Sequence, residues 1–332
     1  MTNGGAGVAF VGSGSAQVKT VLSNEMLSRM VDTSDEWIST RTGIRQRHVA
    51  NGDESLASLA AQAAESAIAA ANMTPDAIDL IILATSTPDD LFGTACQVQA
   101  AIGATKAVAF DLTAACSGFV FGVVTAAQFI RTGAYENVLV IGADLLSRWV
   151  DWDDRTTCVL FGDGAGAVVM QACDRDRLLG FEMHSNGTMN GCLNLAYTPN
   201  SLPLVDDIAS QKGSFTAITM NGREVYRFAV SRVPEVLGKT LFHAGLSASD
   251  IDWLILHQAN QRILDAVAKR LKLPADRMVS NMAKHGNTSA ASIPIALDEW
   301  VRSGKVQPGH KIAMSGFGAG LTWGAALLEW GL

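Results

Sequence analysis

Two stretches of the chain carry the same order of apolar and polar positions. "ESLASLAAQAAESAIAAANMTPDAIDLIILATSTPD" and "VYRFAVSRVPEVLGKTLFHAGLSASDIDWLILHQAN" each predict a long amphipathic helix, a turn, an "ID" pair and an apolar strand ending in polar residues. Placing Ile78 against Ile251 sets an offset of 173 residues, which also places Cys116 against Ser289, each near the start of a small-residue helix. "VLVIGAD" falls within one residue of that register against "KIAMSGFGAG". Agreement at several points in one register predicts a duplicated α/β unit, its buried strands apolar throughout. The expected architecture is two similar mixed sheets with helices on and between them, divided into residues 1–175 and 176–332. A site is expected where loops of both halves meet beyond the strand ends.

Composition narrows the class. With 332 residues and 48% hydrophobic content the chain has ample material for a core. It shows no basic segment leading into an apolar run at its start and no apolar stretch of membrane-spanning length, so a soluble, cytoplasmic protein without a membrane partner is expected. Five cysteines, at 96, 116, 158, 173 and 192, are odd in number and lack CxxC spacing, which favours reduced thiols over disulfides or structural zinc. The 25 basic residues against 32 acidic ones give a net charge of -7, and no basic tract suggests a nucleic-acid ligand.

The candidate chemistry begins in "AFDLTAACSGFVFG", where an apolar strand ends, Cys116 sits among small residues and an apolar helix follows. Cys116 is either a core residue or a nucleophile whose thiolate the helix N-H groups favour. The other four cysteines read as structural or incidental. His257 ends the apolar run "WLILH", as a buried structural histidine or a catalytic one. Asn287, in "HGNTSAASIPIALDEW", taken alone reads as an N-cap or turn residue. Together the three suit a site around one reacting carbonyl. In "SGFGAGLTWGAALLEW" the backbone N-H of Ala319 can join that of Cys116 as an oxyanion hole, the alternative being a simple tight turn. "GSGSAQV" and "FGDGAGA" are glycine-rich but complete neither a Rossmann nor a P-loop fingerprint, and no metal or redox cofactor is implied.

From about residue 7 onward, "MVDTSDEWISTRTGIRQRH", "DLTAACSGF", "LFGDGAGAVV", "HQANQRI", "HGNTSAASIPIAL" and "GFGAGLTWGAAL" resemble the β-ketoacyl-acyl carrier protein synthase III family. The resemblance implies a five-layered thiolase-like αβαβα fold of two duplicated halves, working as a homodimer. It implies transfer of acetyl from acetyl-coenzyme A to Cys116, then decarboxylative condensation with malonyl-acyl carrier protein, which starts fatty acid synthesis. The family's Cys-His-Asn triad falls on Cys116, His257 and Asn287, and its oxyanion donors on the backbone of Cys116 and Ala319. Coenzyme A contacts fall on Trp37, Arg41, Arg155 and Arg262. A local basic patch of Arg227, Arg262, Lys269 and Arg270 is expected to meet the acidic carrier protein.

Three departures accompany the likeness. Leu91, followed by Phe92, stands at the acyl-pocket position where many relatives have Phe, and Arg223 stands where Asn is common. The segment 184–214 is longer than usual and turn-rich, and is expected to be a surface loop near the dimer contact or tunnel entrance. Two other functions remain open to the sequence: a related acyltransferase or specialised ketosynthase, and a catalytically silent scaffold that binds acyl carrier protein.

Overall fold

The computed structural model describes residues 6–332. In chain order the elements that build the two layers of sheet and their covering helices are β1 (Gly7–Ala16), α1 (Asp35–Thr42), α2 (Leu56–Ala70), β2 (Leu80–Ala84), α3 (Ala95–Ala101), β3 (Val108–Leu112), α4 (Gly118–Arg131), β4 (Asn137–Leu145) and β5 (Asp163–Cys173). They continue as β6 (Leu178–Ser185), β7 (Tyr197–Val205), β8 (Ile208–Phe215), α5 (Gly222–His243), β9 (Trp253–Leu256), α6 (Gln261–Leu271), α7 (Ser292–Arg302), β10 (Lys311–Gly318) and β11 (Thr322–Glu329).

The first sheet runs β1-β5-β4-β2-β3 and the second β6-β11-β10-β9. Pairing follows the same scheme in both: β4/β2 is parallel as β10/β9 is, and β5/β4 is antiparallel as β11/β10 is. The counterpart of β3 shrinks to one bridge, Leu254 to Met278, closed by the Val279 N-H on the Leu254 carbonyl at 3.0 Å. Helices α2 and α3 cover the outside of the first sheet, α5 and α6 the outside of the second, and α4 and α7 lie between them. This is a five-layered αβαβα arrangement. The duplication keeps its register: short 3-10 turns at Pro75–Ala77 and Ala248–Asp250 precede β2 and β9 at the same offset, while β4 and β10 begin one residue further on.

Local sequence explains the layers. Helix α2 starts on a capping box of Ser55 and Ser58 and buries Leu56, Leu59, Ala60, Ala63 and Ala67 along one face. Helix α4 buries nine of its 14 residues, as a helix between two sheets must. The start of α7 comes closer to β4 and β5 than a side chain would allow. A Cβ on Gly142 would stand 2.2 Å from the Ala290 carbonyl oxygen, and one on Gly166 would stand 2.7 Å from Ile295 N.

The segment expected as a surface loop corrects that expectation in part. Residues 197–215 form an antiparallel hairpin, β7 with β8, exposed along nearly its whole length. Both faces meet solvent, so the sequence lacks the alternation that marks a half-buried strand. Among the described residues no helix is long and apolar enough to cross a membrane, and no group of three His, Cys, Asp or Glu side chains could hold a metal ion.

Candidate active site

Cys116 lies in the short turn between β3 and α4, just before the N-terminus of that helix with its free N-H groups. The preceding Ala115 has a left-handed backbone, φ 46°, and Ser289 has one too, φ 49°, in the turn just before α7. The two turns meet. Ser289 Oγ donates to Cys116 Sγ at 3.3 Å, while the Ser289 N-H donates to Asn287 Oδ1 at 2.9 Å. The Ser289 carbonyl faces the His257 imidazole. One residue thus hydrogen-bonds the cysteine and the asparagine, with its carbonyl on the side of the histidine.

Each partner is held in place. Accepting at Oδ1 leaves the Asn287 amide hydrogens as its free donors, and the Asn287 backbone is fixed by bonds with Leu160 and Gly162. His257 is buried at the end of β9, its N-H on the Ser315 carbonyl, its ring edge-on to Phe317 at 5.2 Å and its Nδ1 2.8 Å from Ser292 Oγ. Asp144, buried at the end of β4, accepts from the Ser86 and Ala290 N-H groups at 2.8 and 3.1 Å and from the Thr85 and Thr87 hydroxyls. It therefore pins the α7 turn to the first sheet.

The "GFGAG" stretch brings bare backbone against the cysteine. A Cβ on Gly318 would lie 3.1 Å from Cys116 Sγ and 2.9 Å from its Cβ, so that position has room for glycine alone. Ala319 follows directly, forms part of the same cavity wall as Cys116 and Ser289, and carries no positive φ.

Burial dominates the electrostatics and overturns one expectation. The Cys116 thiol is pushed up to about 12, chiefly by loss of solvent, with the Asp144 charge acting the same way and the Ser289 hydroxyl against it. The helix end does not make a resting thiolate here. Burial pulls the His257 imidazole down to about 3, so it is neutral. Both groups are uncharged at neutral pH.

A cavity of about 1100 Å³ opens from Cys116. Leu91, Phe92, Phe110, Trp149 and Phe215 wall it, and Leu91 and Phe92 are almost fully exposed at its rim. His257 and Asn287 are not part of that wall and approach the cysteine through Ser289 instead.

The remaining predicted residues form two surface groups. Trp37 and Arg41 share α1, and Trp37 lies under the guanidinium of Arg41 at 4.5 Å and that of Arg155 at 5.4 Å. Arg155 also donates to the Asp32 carbonyl and carboxylate. Asn260, which caps α6 through the Arg262 N-H, donates to the Arg41 carbonyl at 3.1 Å and ties this group to the chain leaving His257. Arg262 sits over the Tyr226 ring at 5.7 Å. Arg227 pairs with Glu224, and Arg270 donates to the Val230 carbonyl. Lys269 is exposed and has no ion pair among the described residues. Sequence reasoning passed over Asp144, Ser289, Ser292, Phe317 and Gly318. Only Ser289 carried a signal, as the repeat partner of Cys116.

Comparison with known proteins finds relatives along the whole chain. Residues 110–187 match the model of the 3-oxoacyl-[acyl-carrier-protein] synthase III family and residues 241–330 that of its C-terminal region. A β-ketoacyl-[acyl-carrier-protein] synthase III of Synechococcus elongatus is 65% identical over 332 residues, covering 100% of this chain and 99% of the relative. The crystal structure of 3-oxoacyl-[acyl-carrier-protein] synthase III from Aquifex aeolicus superposes with a TM-score of 0.90 at 45% identity, covering 98% of this chain and 100% of that one. A priming β-ketosynthase from the R1128 polyketide pathway superposes with a TM-score of 0.91 at 33% identity, covering 100% and 98%.

The buried thiol sets an expected pH profile. Alkylation of Cys116 by iodoacetamide, followed on its own peptide by mass spectrometry, will rise about tenfold per pH unit from pH 7 to 9, because only the thiolate reacts. A rate already level at pH 7 would show a thiolate at rest.

Proposed function

The chain belongs to the β-ketoacyl-[acyl-carrier-protein] synthase III family and is an initiating condensing enzyme of fatty acid synthesis; within that activity we propose that Cys116, His257 and Asn287 are its catalytic residues. The observation that carries the proposal is Ser289, whose hydroxyl, N-H and carbonyl face the three side chains in turn.

In the first half-reaction Cys116 Sγ attacks the thioester carbonyl of acetyl-coenzyme A while the Cys116 and Ala319 N-H groups take the developing oxyanion. The thiol is neutral, so its proton leaves as attack proceeds and ends on the departing coenzyme A thiol. The half-reaction as a whole leaves no net charge in the dry site. In the second half-reaction malonyl-acyl carrier protein loses carbon dioxide, and the enolate oxygen takes hydrogen bonds from His257 and the Asn287 amide. The enolate carbon then attacks the acetyl group on Cys116, whose thiolate is the leaving group and takes up one proton from solvent to restore the neutral thiol, and acetoacetyl-acyl carrier protein departs. A neutral His257 suits this role, since it offers one hydrogen bond without a buried charge.

The surface groups receive the carriers. Trp37, Arg41, Arg155 and Arg262 hold the nucleotide end of coenzyme A by stacking and charge-assisted phosphate contacts, the Arg155 guanidinium exchanging Asp32 for phosphate. Arg227, Arg262, Lys269 and Arg270 meet the acidic carrier protein. Leu91 and Phe92 belong to the acyl pocket, which takes acetyl and short linear homologues. Their exposure supports a homodimer in which this rim meets a second copy. A division of the halves at residues 175/176 is supported by the turn that joins β5 to β6. A cytoplasmic site of action fits the free thiols at all five cysteines.

Three variants separate the half-reactions. Cys116→Ala abolishes acetyl-enzyme formation, whereas His257→Ala and Asn287→Ala retain measurable acetyl transfer and lose carbon dioxide release from malonyl-acyl carrier protein by about 100-fold or more. His257→Ala releasing carbon dioxide at the parent rate would refute the assignment. Lys269→Glu raises the KM for malonyl-acyl carrier protein, with the larger effect at low salt, and leaves acetyl-coenzyme A kinetics unchanged. Unaltered carrier-protein kinetics would remove Lys269 from the contact.

A further inference from the structure

We infer that Ser292 is a positioning residue that locks His257 in the neutral tautomer with its hydrogen on Nε2, so that the imidazole meets the enolate as a donor. The inference rests on the role proposed for His257 above.

The hydrogens around the Ser292 hydroxyl fix the tautomer. Ser292 Oγ stands 2.8 Å from His257 Nδ1 and 3.3 Å from the backbone nitrogen of Gln258. The Gln258 N-H can only donate, so it occupies a lone pair of Oγ. The hydroxyl has a single hydrogen, Ser292 is 2% exposed, and among the described residues Nδ1 is the one acceptor bonded to it. That hydrogen therefore goes to Nδ1, and a neutral imidazole that accepts at Nδ1 carries its own hydrogen at Nε2.

The arrangement is rigid on both sides. Gln258 is buried, its side chain donating to the Leu256 and Val279 carbonyls and accepting from the Asn281 N-H at 3.1 Å, so its own backbone N-H cannot swing away. Ser292 is the first residue of α7, the helix seated against Gly142 and Gly166. No carboxylate among the described residues pairs with His257, and its other neighbours are the Phe317 ring and the Ser289 carbonyl. With burial keeping the ring neutral, the tautomer alone decides whether Nε2 offers a hydrogen or a lone pair.

The test reads the tautomer directly. In full-length protein labelled with 15N-histidine, long-range 1H-15N correlation at pH 7, assigned against His257→Ala, will show Nε2 protonated in the parent. Ser292→Ala will lose that pattern and slow malonyl decarboxylation about 10- to 100-fold, with a much smaller effect on acetyl transfer to Cys116. Ser292→Thr, which keeps the hydroxyl, will retain both. A parent spectrum with Nδ1 protonated overturns the inference whatever the variants do, and so does a Ser292→Ala protein with the parent tautomer. Failure of the catalytic reading is a separate result, because it would appear as full decarboxylation by His257→Ala.

Discussion

The site depends on how closely the first turn of α7 approaches the first sheet. Glycine at positions 142 and 166 removes the side chains that would hold the helix off, and the Asp144 carboxylate then takes the Ala290 N-H. That contact carries Asn287, Ser289 and Ser292, with His257 bonded to Ser292, from the second half of the chain to Cys116 in the first. An alanine methyl at Gly142 would have to displace the backbone by more than an ångström to reach ordinary contact, and tightly packed interiors resist such shifts at a cost of about 1–3 kcal/mol. The catalytic geometry is therefore a consequence of packing between the two halves, more than of any one loop.

Burial then sets the chemistry. Excluding water raises the thiol and lowers the imidazole, so the two groups that would form an ion pair in an exposed cysteine-histidine site are both neutral here. A neutral site suits a reaction that begins and ends with thioesters and thiols. The charge that does develop is an oxyanion or an enolate, met by fixed N-H donors. In a dry setting each such donor is worth about 3–4 kcal/mol of transition-state stabilisation.

Much of this was legible in the chain. The repeat at an offset of 173 residues was readable because continuous apolar strands and periodic helices survive duplication, and the same offset separates Cys116 from Ser289, which touch. Cys116, His257 and Asn287 stood out as reactive or polar side chains at element boundaries. Ser292 did not, because a serine opening a helix reads as an ordinary start signal and its histidine partner lies 35 residues away. The state of the thiol is not legible in the chain, since a helix end is visible in sequence while the depth of burial is a tertiary property. The hairpin of β7 and β8 was missed because its Asn, Pro, Ser and Asp residues suggest turns. The fifth strand of the second sheet, reduced to one bridge at Met278, left no strand pattern to find.

The central claim is that Cys116 carries the acyl group between two carriers. Intact-mass and peptide analysis of the full-length protein after exposure to acetyl-coenzyme A, then to malonyl-acyl carrier protein, tests it most directly. The account predicts one acetyl group per chain, confined to the peptide containing Cys116 although four other free cysteines are present, and its loss as acetoacetyl-acyl carrier protein forms. Acetylation at another cysteine, or an acetyl group that malonyl-acyl carrier protein does not remove, would contradict it.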